Sequence, residues 1–332
     1  MVNKKRMIKP ALTIWCNGRF ADAATRLLVE GARRHRLVWS TVPTANILEE
    51  GRPDPAFEAA DIALGQPNAA QCASSTKLRW MEVTTAGYTR YDRPEFFDAL
   101  RARGCVFTNA SDVFAEPCAQ HALSMMLAFG RQLLPAHRDQ LADRSWHFTE
   151  RRRDSRLLNG ETVLMLGFGA IGRRLAALLA PFGMKLFAVR RRLHSERGVH
   201  IIPEEKVSSA LAAADHIVNI LPENDGTRNY VNARRLGWCK PGAKFYNIGR
   251  GTTVDQDALA EQLRAGRLGA AYLDVTDPEP LPPSHPLWTT PNCYITPHTA
   301  GGRIDQDDAL VRHFLQNLAA FESGGDMTDR VV

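Results

Sequence analysis

The chain has 332 residues, a net charge of +6 at pH 7 and an apolar fraction of 44%. This length accommodates two domains with buried cores, and the composition is typical of a soluble globular protein. The mild positive charge suits small anionic molecules and is too diffuse to indicate a nucleic-acid partner.

The six cysteines form no C-x-x-C pair, so we predict neither a disulfide framework nor a zinc site, and no bound metal. No stretch approaches the ~20 apolar residues of a membrane span. The basic start of the chain lacks the apolar run of a signal peptide. We therefore expect a cytoplasmic protein with reduced thiols and no membrane partner.

Strands and helices alternate along the first half of the chain. This pattern predicts a small parallel α/β domain, and it contains no phosphate-binding loop. The predicted strands cover residues 12–16, 37–42, 61–64, 79–83 and 105–108, and the predicted helices cover residues 21–35 and 92–103.

The segment of residues 119–134 is apolar almost all round, which predicts a helix buried on several sides. Residues 135–158 after it are interpreted as an extended arm carrying Trp146 and Phe148, with a plain surface loop as the alternative. Burial between domains and against a second subunit would account for the apolar helix. We therefore predict a two-fold homodimer interface formed by this helix and by the arm through Trp146.

A glycine-rich turn follows the apolar run at residues 162–166 and precedes a helix pattern that ends near Gly183. A second strand at residues 185–189 completes a βαβ unit of about thirty residues. In such a unit the glycines permit a tight turn, close approach of a pyrophosphate, and close helix packing. We predict dinucleotide binding, with an unliganded turn as the alternative, at Gly167, Phe168, Gly169, Ala170, Ile171 and Gly172.

The acidic residue that usually ends the second strand of this unit is absent. Arg190 takes its place, and Arg191 and Arg192 follow. A carboxylate there would bind a ribose 2′-hydroxyl, whereas a guanidinium pairs with phosphate oxygens. We predict NADP(H) in preference to NAD(H), and the alternative is a solvated basic run at a strand end.

The second half continues as a doubly wound sheet, with further strands at residues 216–221, 244–248, 271–275 and 294–296. Arg250, Glu279 and His298 each follow one of these strands. Singly they could cap carbonyls, lie in a rigid loop or be solvated. Because ligands of such sheets lie beyond the carboxyl ends of the strands, the three together indicate a catalytic site.

These segments resemble the D-isomer-specific 2-hydroxyacid dehydrogenases, and among them the glyoxylate/hydroxypyruvate reductase-like members, over nearly the whole chain. The resemblance implies two doubly wound parallel-sheet domains. A Rossmann-type dinucleotide-binding domain (residues 111–299) would be inserted in a flavodoxin-like, discontinuous substrate-binding domain (residues 1–110 and 300–332). The motifs that carry it are at residues 166–172, 247–251, 273–275, 278–280 and 296–298.

The resemblance also implies roles. Arg250 would bind the substrate carboxylate and keto oxygen, His298 would be the acid/base, and Glu279 would hydrogen-bond to His298. The backbone amides of Ala86 and Gly87 would take the substrate carboxylate. Besides the glycine turn and the arginines, cofactor contacts would come from Leu221, Pro222, Thr227, Ile248, Gly249, Arg250, Asp274, His298 and Ala300.

The chemistry of reduction agrees with these roles. Arg250 would stabilise the charge that grows on the carbonyl oxygen, and a protonated His298 would deliver the proton. An ionised Glu279 would favour the charged imidazole. Glutamate at this position argues against the formate dehydrogenases, which pair their histidine with glutamine.

The resemblance has departures. Thr89 stands where many members carry another residue, which leaves substrate size and polarity open, and Ile248-Gly249 replaces the commoner Val-Ala. The chain ends soon after its last helix, which counts against the longer phosphoglycerate dehydrogenases. We predict an NADPH-preferring reductase of small 2-keto acids to D-2-hydroxy acids. The alternative is a dinucleotide-sensing binding protein with little turnover, like the C-terminal binding protein corepressors.

Overall fold

The computed structural model describes residues 10–42, 51–190 and 195–332. The chain divides into two compact units, residues 1–114 with 303–332, and residues 115–302. The division falls after Phe114 rather than after residue 110, because Val113 and Phe114 still pack with Leu310 in the first unit. No helix in the described ranges is long and apolar enough to cross a membrane.

The first unit contains a five-stranded parallel sheet with the strand order β2-β1-β3-β4-β5, the flavodoxin-like order that the resemblance implied. Its strands are β1 (Thr13–Cys16), β2 (Arg36–Trp39), β3 (Ile62–Gly65), β4 (Trp80–Val83) and β5 (Val106–Thr108). Its helices are α1 (Asp22–Gly31), α2 (Ala69–Ser74), α3 (Pro94–Ala102) and, from the end of the chain, α11 (Gln306–Ser323).

The last helix returns to the first unit because its apolar face completes that core. Leu28 of α1 and Phe314 of α11 belong to one buried apolar cluster. The Phe314 ring also stacks on Trp80 of β4, with 5.0 Å between ring centroids. Burial of one such aromatic side chain stabilises the fold by roughly 1.5–3 kcal/mol.

The second unit contains a seven-stranded parallel sheet with the order β12-β11-β10-β9-β6-β7-β8. The strand order reverses between β6 and β9, which is where doubly wound sheets bind ligands. Its strands are β6 (Thr162–Leu166), β7 (Lys185–Val189), β8 (His200–Ile202), β9 (His216–Asn219), β10 (Lys244–Asn247), β11 (Ala270–Leu273) and β12 (Cys293–Ile295). Its helices are α4 (Ser111–Gly130), whose first turn belongs to the first unit, α5 (Leu133–Ala142), α6 (Phe148–Asp154), α7 (Ala170–Leu179), α8 (Val207–Ala213), α9 (Ala233–Gly237) and α10 (Gln256–Arg264).

The extended arm predicted over residues 135–158 is wrong, because this segment forms the short helices α5 and α6. Gln132 adopts a left-handed conformation (φ 57°), which separates α4 from α5. Pro135 lies in the first turn of α5, where its missing N–H breaks no intrahelical hydrogen bond. Arg151 of α6 forms an ion pair of 2.7 Å with Asp139 of α5, which ties the two helices together.

Candidate active site

The glycine turn after β6 has the geometry that its sequence predicts. Gly167 has a φ of 91°, and a Cβ there would lie 3.1 Å from the Ile220 carbonyl oxygen. At Gly169, directly before α7, a Cβ would meet no described atom within 4 Å. The backbone amides in the first turn of α7 have no intrahelical acceptor, so free hydrogen-bond donors lie beside the open space at Gly169. These residues fit the pyrophosphate of a dinucleotide.

Arg190 follows β7, where the diagnostic residue of the dinucleotide unit is expected. Its Nη1 lies 3.9 Å from Glu196 Oε1, and both side chains are 29% exposed. This distance is too long for a charge-assisted hydrogen bond, so the guanidinium keeps its donors for another partner. Arg191 and Arg192 lie outside the described residues.

The loops after β9 and β10 touch through their backbones. Thr227 Oγ1 donates to the Pro222 carbonyl oxygen at 2.6 Å and closes the turn after β9. A Cβ at Gly249 would lie 2.7 Å from the Leu221 carbonyl oxygen, so the loop leaves no room for alanine. The close Leu221 carbonyl oxygen therefore explains why glycine, rather than the commoner alanine, precedes Arg250 in this chain.

Sequence reasoning missed a pair of buried asparagines that supports the Arg250 loop. Asn219 and Asn247 are register partners at the ends of β9 and β10. Asn219 Nδ2 donates to Asn247 Oδ1 at 3.0 Å, and Asn247 Nδ2 donates to the Arg250 carbonyl oxygen at 3.1 Å. The sequence signal for this pair is an asparagine at the end of each of two successive buried strands, β9 and β10.

Glu279 and His298, which follow β11 and β12, form a hydrogen-bonded pair. His298 Nδ1 lies 2.8 Å from Glu279 Oε2, and the Thr276 amide donates to Glu279 Oε1 at 3.0 Å. Burial opposes ionisation of Glu279, but the hydrogen bonds and the charges of His298 and Arg250 lower its pKa below the ordinary value. No described residue forms a hydrogen bond or ion pair with His298 Nε2, so that nitrogen remains available.

Arg250 lies on a loop that meets the Glu279 loop directly. Its Nη1 donates to the Gly249 carbonyl oxygen at 2.6 Å. A Cβ at Gly251 would lie 2.0 Å from the Thr276 carbonyl oxygen, so the loops after β10 and β11 are in backbone contact. The second unit therefore brings together the three segments that were predicted to carry chemistry.

Asp274 anchors the loop that carries His298. Its carboxylate is buried and accepts the amides of Thr299 at 2.8 Å and Ala300 at 2.9 Å. Its backbone oxygen accepts the His298 amide at 2.8 Å. His298 has a φ of 53°, a left-handed conformation that a non-glycine residue keeps only when its surroundings hold it.

Ala86 and Gly87 lie in the first unit, in the loop after β4. Asn109 Nδ2 donates to the Ala86 carbonyl oxygen, and Thr85 Oγ1 donates to the Gly87 carbonyl oxygen, each at 2.7 Å. The amides of both residues have no partner among the described residues. Their contact with the substrate stays a prediction.

Comparison with known proteins identifies the chain. A family model described as D-isomer specific 2-hydroxyacid dehydrogenase, NAD binding domain, matches residues 123–300. The chain belongs to this family. It is an NAD(P)-dependent oxidoreductase that acts on 2-hydroxy acids, and it uses a nicotinamide dinucleotide.

This dehydrogenase is 31% identical over 257 residues to the glyoxylate reductase of Aeropyrum pernix, with 76% of each chain covered. It is 34% identical over 204 residues to the human glyoxylate reductase/hydroxypyruvate reductase, covering 60% of this chain and 62% of that relative. A D-isomer specific 2-hydroxyacid dehydrogenase from Xanthobacter autotrophicus, solved with NADPH and MES, is 26% identical with a TM-score of 0.80, covering 97% and 98% of the two chains. These likenesses confirm the predicted family and fold class.

Proposed function

We propose that this dehydrogenase reduces small 2-keto acids to D-2-hydroxy acids, with glyoxylate or hydroxypyruvate as substrates. The observation that carries the proposal is the His298–Glu279 pair, whose second ring nitrogen has no partner in the described chain. The glyoxylate reductase activity named for the relatives supports the choice of substrate.

The bound nicotinamide would supply the hydride. Arg250 stabilises the negative charge that develops on the substrate oxygen, because a guanidinium close to that oxygen needs no reorganisation during the reaction. Glu279 holds the Nδ1 side of His298, so Nε2–H faces the substrate and delivers the proton. The pKa of Glu279 is lowered, so its ionised carboxylate lies beside the ring of His298.

A panel of 2-keto acids with NADPH, followed by absorbance of the reduced cofactor, tests this function. We expect turnover with glyoxylate or hydroxypyruvate and little turnover with formate as the hydride donor. Tight dinucleotide binding with no turnover of any 2-keto acid would contradict the proposal. It would instead favour a dinucleotide-sensing binding protein.

We infer that NADPH is the preferred cofactor. Arg190 lies at the diagnostic position after β7, and its guanidinium is only loosely paired with Glu196. The relative from Xanthobacter, solved with NADPH, supports the inference. One arginine–phosphate contact of ~1.4 kcal/mol corresponds to tenfold in affinity.

Steady-state kinetics with both cofactors at a fixed 2-keto acid test this preference. We expect at least a tenfold higher kcat/KM with NADPH, roughly the effect of one phosphate contact. Arg190→Asp should invert it, whereas Lys185→Asp, at the other end of β7, makes the same charge change and should not. Equal efficiencies in the wild type would mean that the arginines are only a solvated strand end.

We also propose a homodimer through residues 133–157, which include the predicted arm through Trp146. The apolar side chains of α4 are mostly buried within the chain. Among the described residues, five of the nine exposed large hydrophobic side chains lie between residues 133 and 157, and a cluster of this kind marks an interface. They are Leu133 (56% exposed), Leu141 (72%), Trp146 (89%), Phe148 (59%) and Leu157 (65%).

Light scattering at micromolar concentration should give twice the chain mass for the wild type. Trp146→Ser should shift the protein towards monomer, because it removes the most exposed apolar side chain of this segment. Trp288→Ser is the matched control, since Trp288 is 49% exposed and lies outside the segment. A monomeric wild type would contradict the proposed dimer.

A further inference from the structure

Tyr272 of β11 is fully buried. Its hydroxyl points towards the carboxyl ends of the strands, where the loop that carries His298 begins. The hydroxyl lies 2.6 Å from Thr296 Oγ1, and Thr296 Oγ1 donates to Asp274 Oδ1 at 2.6 Å. A threonine hydroxyl has one proton, so Tyr272 must be the donor to Thr296. Two hydrogen bonds therefore run from Tyr272 through Thr296 to Asp274, and the Tyr272 hydroxyl also lies 3.5 Å from Asp274 Oδ1 directly.

The chain of hydrogen bonds ends on the Asp274 carboxylate, which holds the loop that carries His298. Thr296 Oγ1 and the Thr299 amide share Asp274 Oδ1, and the Ala300 amide occupies Oδ2. No basic side chain of the described residues forms an ion pair with Asp274, so these donors compensate its buried charge. Loss of one donor would weaken the hold on His298, which keeps a left-handed backbone in this loop.

We propose that Tyr272 is a positioning residue for His298. Its hydroxyl fixes the side chain of Thr296 and, through it, the orientation of the Asp274 carboxylate towards the amides of the His298 loop. The catalytic consequence rests on the proposed function of His298 as proton donor. The structural consequence, that Asp274 holds the His298 loop, is independent of that function.

The surroundings of Tyr272 keep its hydroxyl protonated. The ring of His121 from α4 stacks on it, with 5.4 Å between centroids. Burial raises the pKa of Tyr272 well above its ordinary value, and Asp274 adds to the rise, although the hydrogen bond with Thr296 opposes it. The neighbouring Cys118 thiol is likewise buried, which raises its pKa to about 12 despite the charge of Arg250. Tyr272 therefore remains a hydrogen-bond donor throughout the neutral range.

The sheet contains a matched control in Tyr246. This residue is the register partner of Tyr272 on the adjacent strand β10, and it is also fully buried. Its hydroxyl points the other way, to His216 Nδ1 at 2.9 Å. Tyr246→Phe and Tyr272→Phe therefore remove the same group from the same burial and strand position, but only Tyr272 faces the His298 loop.

The experiment compares Tyr272→Phe, Thr296→Val, their double variant and Tyr246→Phe. We expect Tyr272→Phe and Thr296→Val each to lower kcat about 5- to 20-fold, the effect of one or two hydrogen bonds, with KM within about twofold. The double variant should be no slower than Thr296→Val alone, because both changes break one chain. Tyr246→Phe should keep the wild-type kcat while losing similar thermal stability.

Hydrogen exchange in the cofactor-free protein gives a readout that does not depend on activity. The amides of His298, Thr299 and Ala300 should exchange faster in Tyr272→Phe than in the wild type. Their exchange rates should not change in Tyr246→Phe. Wild-type kcat and wild-type exchange in Tyr272→Phe would overturn the proposal, as would additive losses of kcat in the double variant. If His298→Ala kept its activity, the proposed role of His298 as proton donor would be wrong. The exchange measurement would still test whether Tyr272 and Asp274 hold the His298 loop.

Discussion

Two histidine–glutamate pairs lie at opposite ends of the strands of one sheet and differ in exposure. His298 follows β12 and contacts Glu279 at 2.8 Å, and His216 begins β9 and contacts Glu161 at 2.7 Å. The His298 side chain is 38% exposed, whereas that of His216 is fully buried. The second nitrogen of His298 has no partner in the described chain, but that of His216 is bonded to the Tyr246 hydroxyl.

If His298 transfers the proton as proposed, the difference that matters is access to the second ring nitrogen, since both pairs have a carboxylate partner. Burial lowers the pKa of His216, and the charge of Lys244 lowers it further, although the adjacent Glu161 acts in the opposite direction. His216 therefore stays neutral near pH 7 and contributes to the fold. We expect exposed pairs to control activity and buried pairs to control stability.

The largest expected effect separates the two pairs by kinetics. His298→Ala should lower kcat for 2-keto acid reduction by ~10²–10⁴ while leaving cofactor affinity nearly intact, because only the proton donor is lost. His216→Ala should change kcat less than about threefold, but should lower the free energy of unfolding by roughly 2–4 kcal/mol through the cavity it leaves. Near-wild-type turnover in His298→Ala would break the comparison.

A third histidine, in the first unit, extends the comparison to pH. His313 lies between two carboxylates, with Nδ1 at 3.1 Å from Glu82 and Nε2 at 3.2 Å from Asp329. Burial opposes its charge, but the ion pair with Asp329 and the hydrogen bond with Glu82 raise its pKa to about 10. Asn317 of α11 donates to Glu82 at 2.7 Å and completes the cluster, so His313 stays charged while buried.

Because the folded-state pKa of His313 exceeds its ordinary value of 6.5, its contribution to stability is complete below pH 6.5 and is lost as pH rises towards 10. His313→Gln should therefore lower the free energy of unfolding most at pH 6, by roughly 1–3 kcal/mol, and least near pH 10. Urea unfolding of both proteins at several pH values measures the difference. A difference that does not change with pH would mean that His313 is not charged in the fold.

The sequence predicted the elements whose pattern is local and strong. The strands at residues 162–166 and 185–189 were predicted with the bounds that the structure has, because they are apolar runs on either side of a glycine turn. Arg250, Glu279 and His298 were predicted to share one site because each follows a strand in a recognisable motif, and their catalytic roles stay a prediction. The roles of Asn219, Tyr272 and His216 depend on neighbours across the sheet, which spacing along one chain does not reveal.

Residues 135–158 were mispredicted for a related reason. The hydrophobic side chains of α5 and α6, such as Leu141 and Phe148, are exposed rather than aligned on one buried face. Helical periodicity is visible in a sequence only when one face of the helix packs against a core. A helix whose apolar side chains stay exposed has no such pattern.

The smallest expected effect concerns Glu279, the carboxylate beside the proposed proton donor His298. Glu279→Gln keeps a hydrogen-bond acceptor beside His298 but removes the negative charge, which Glu279 carries because its pKa is lowered. The imidazolium then loses its ionic partner, so the alkaline limb of the kcat–pH profile for reduction should move to lower pH, and kcat at pH 7 should fall roughly tenfold. Glu161→Gln, the same change in the buried pair, should leave the profile in place. An unmoved limb in Glu279→Gln would mean that Glu279 acts only by orienting the ring, since the amide oxygen can still accept the Nδ1–H hydrogen bond.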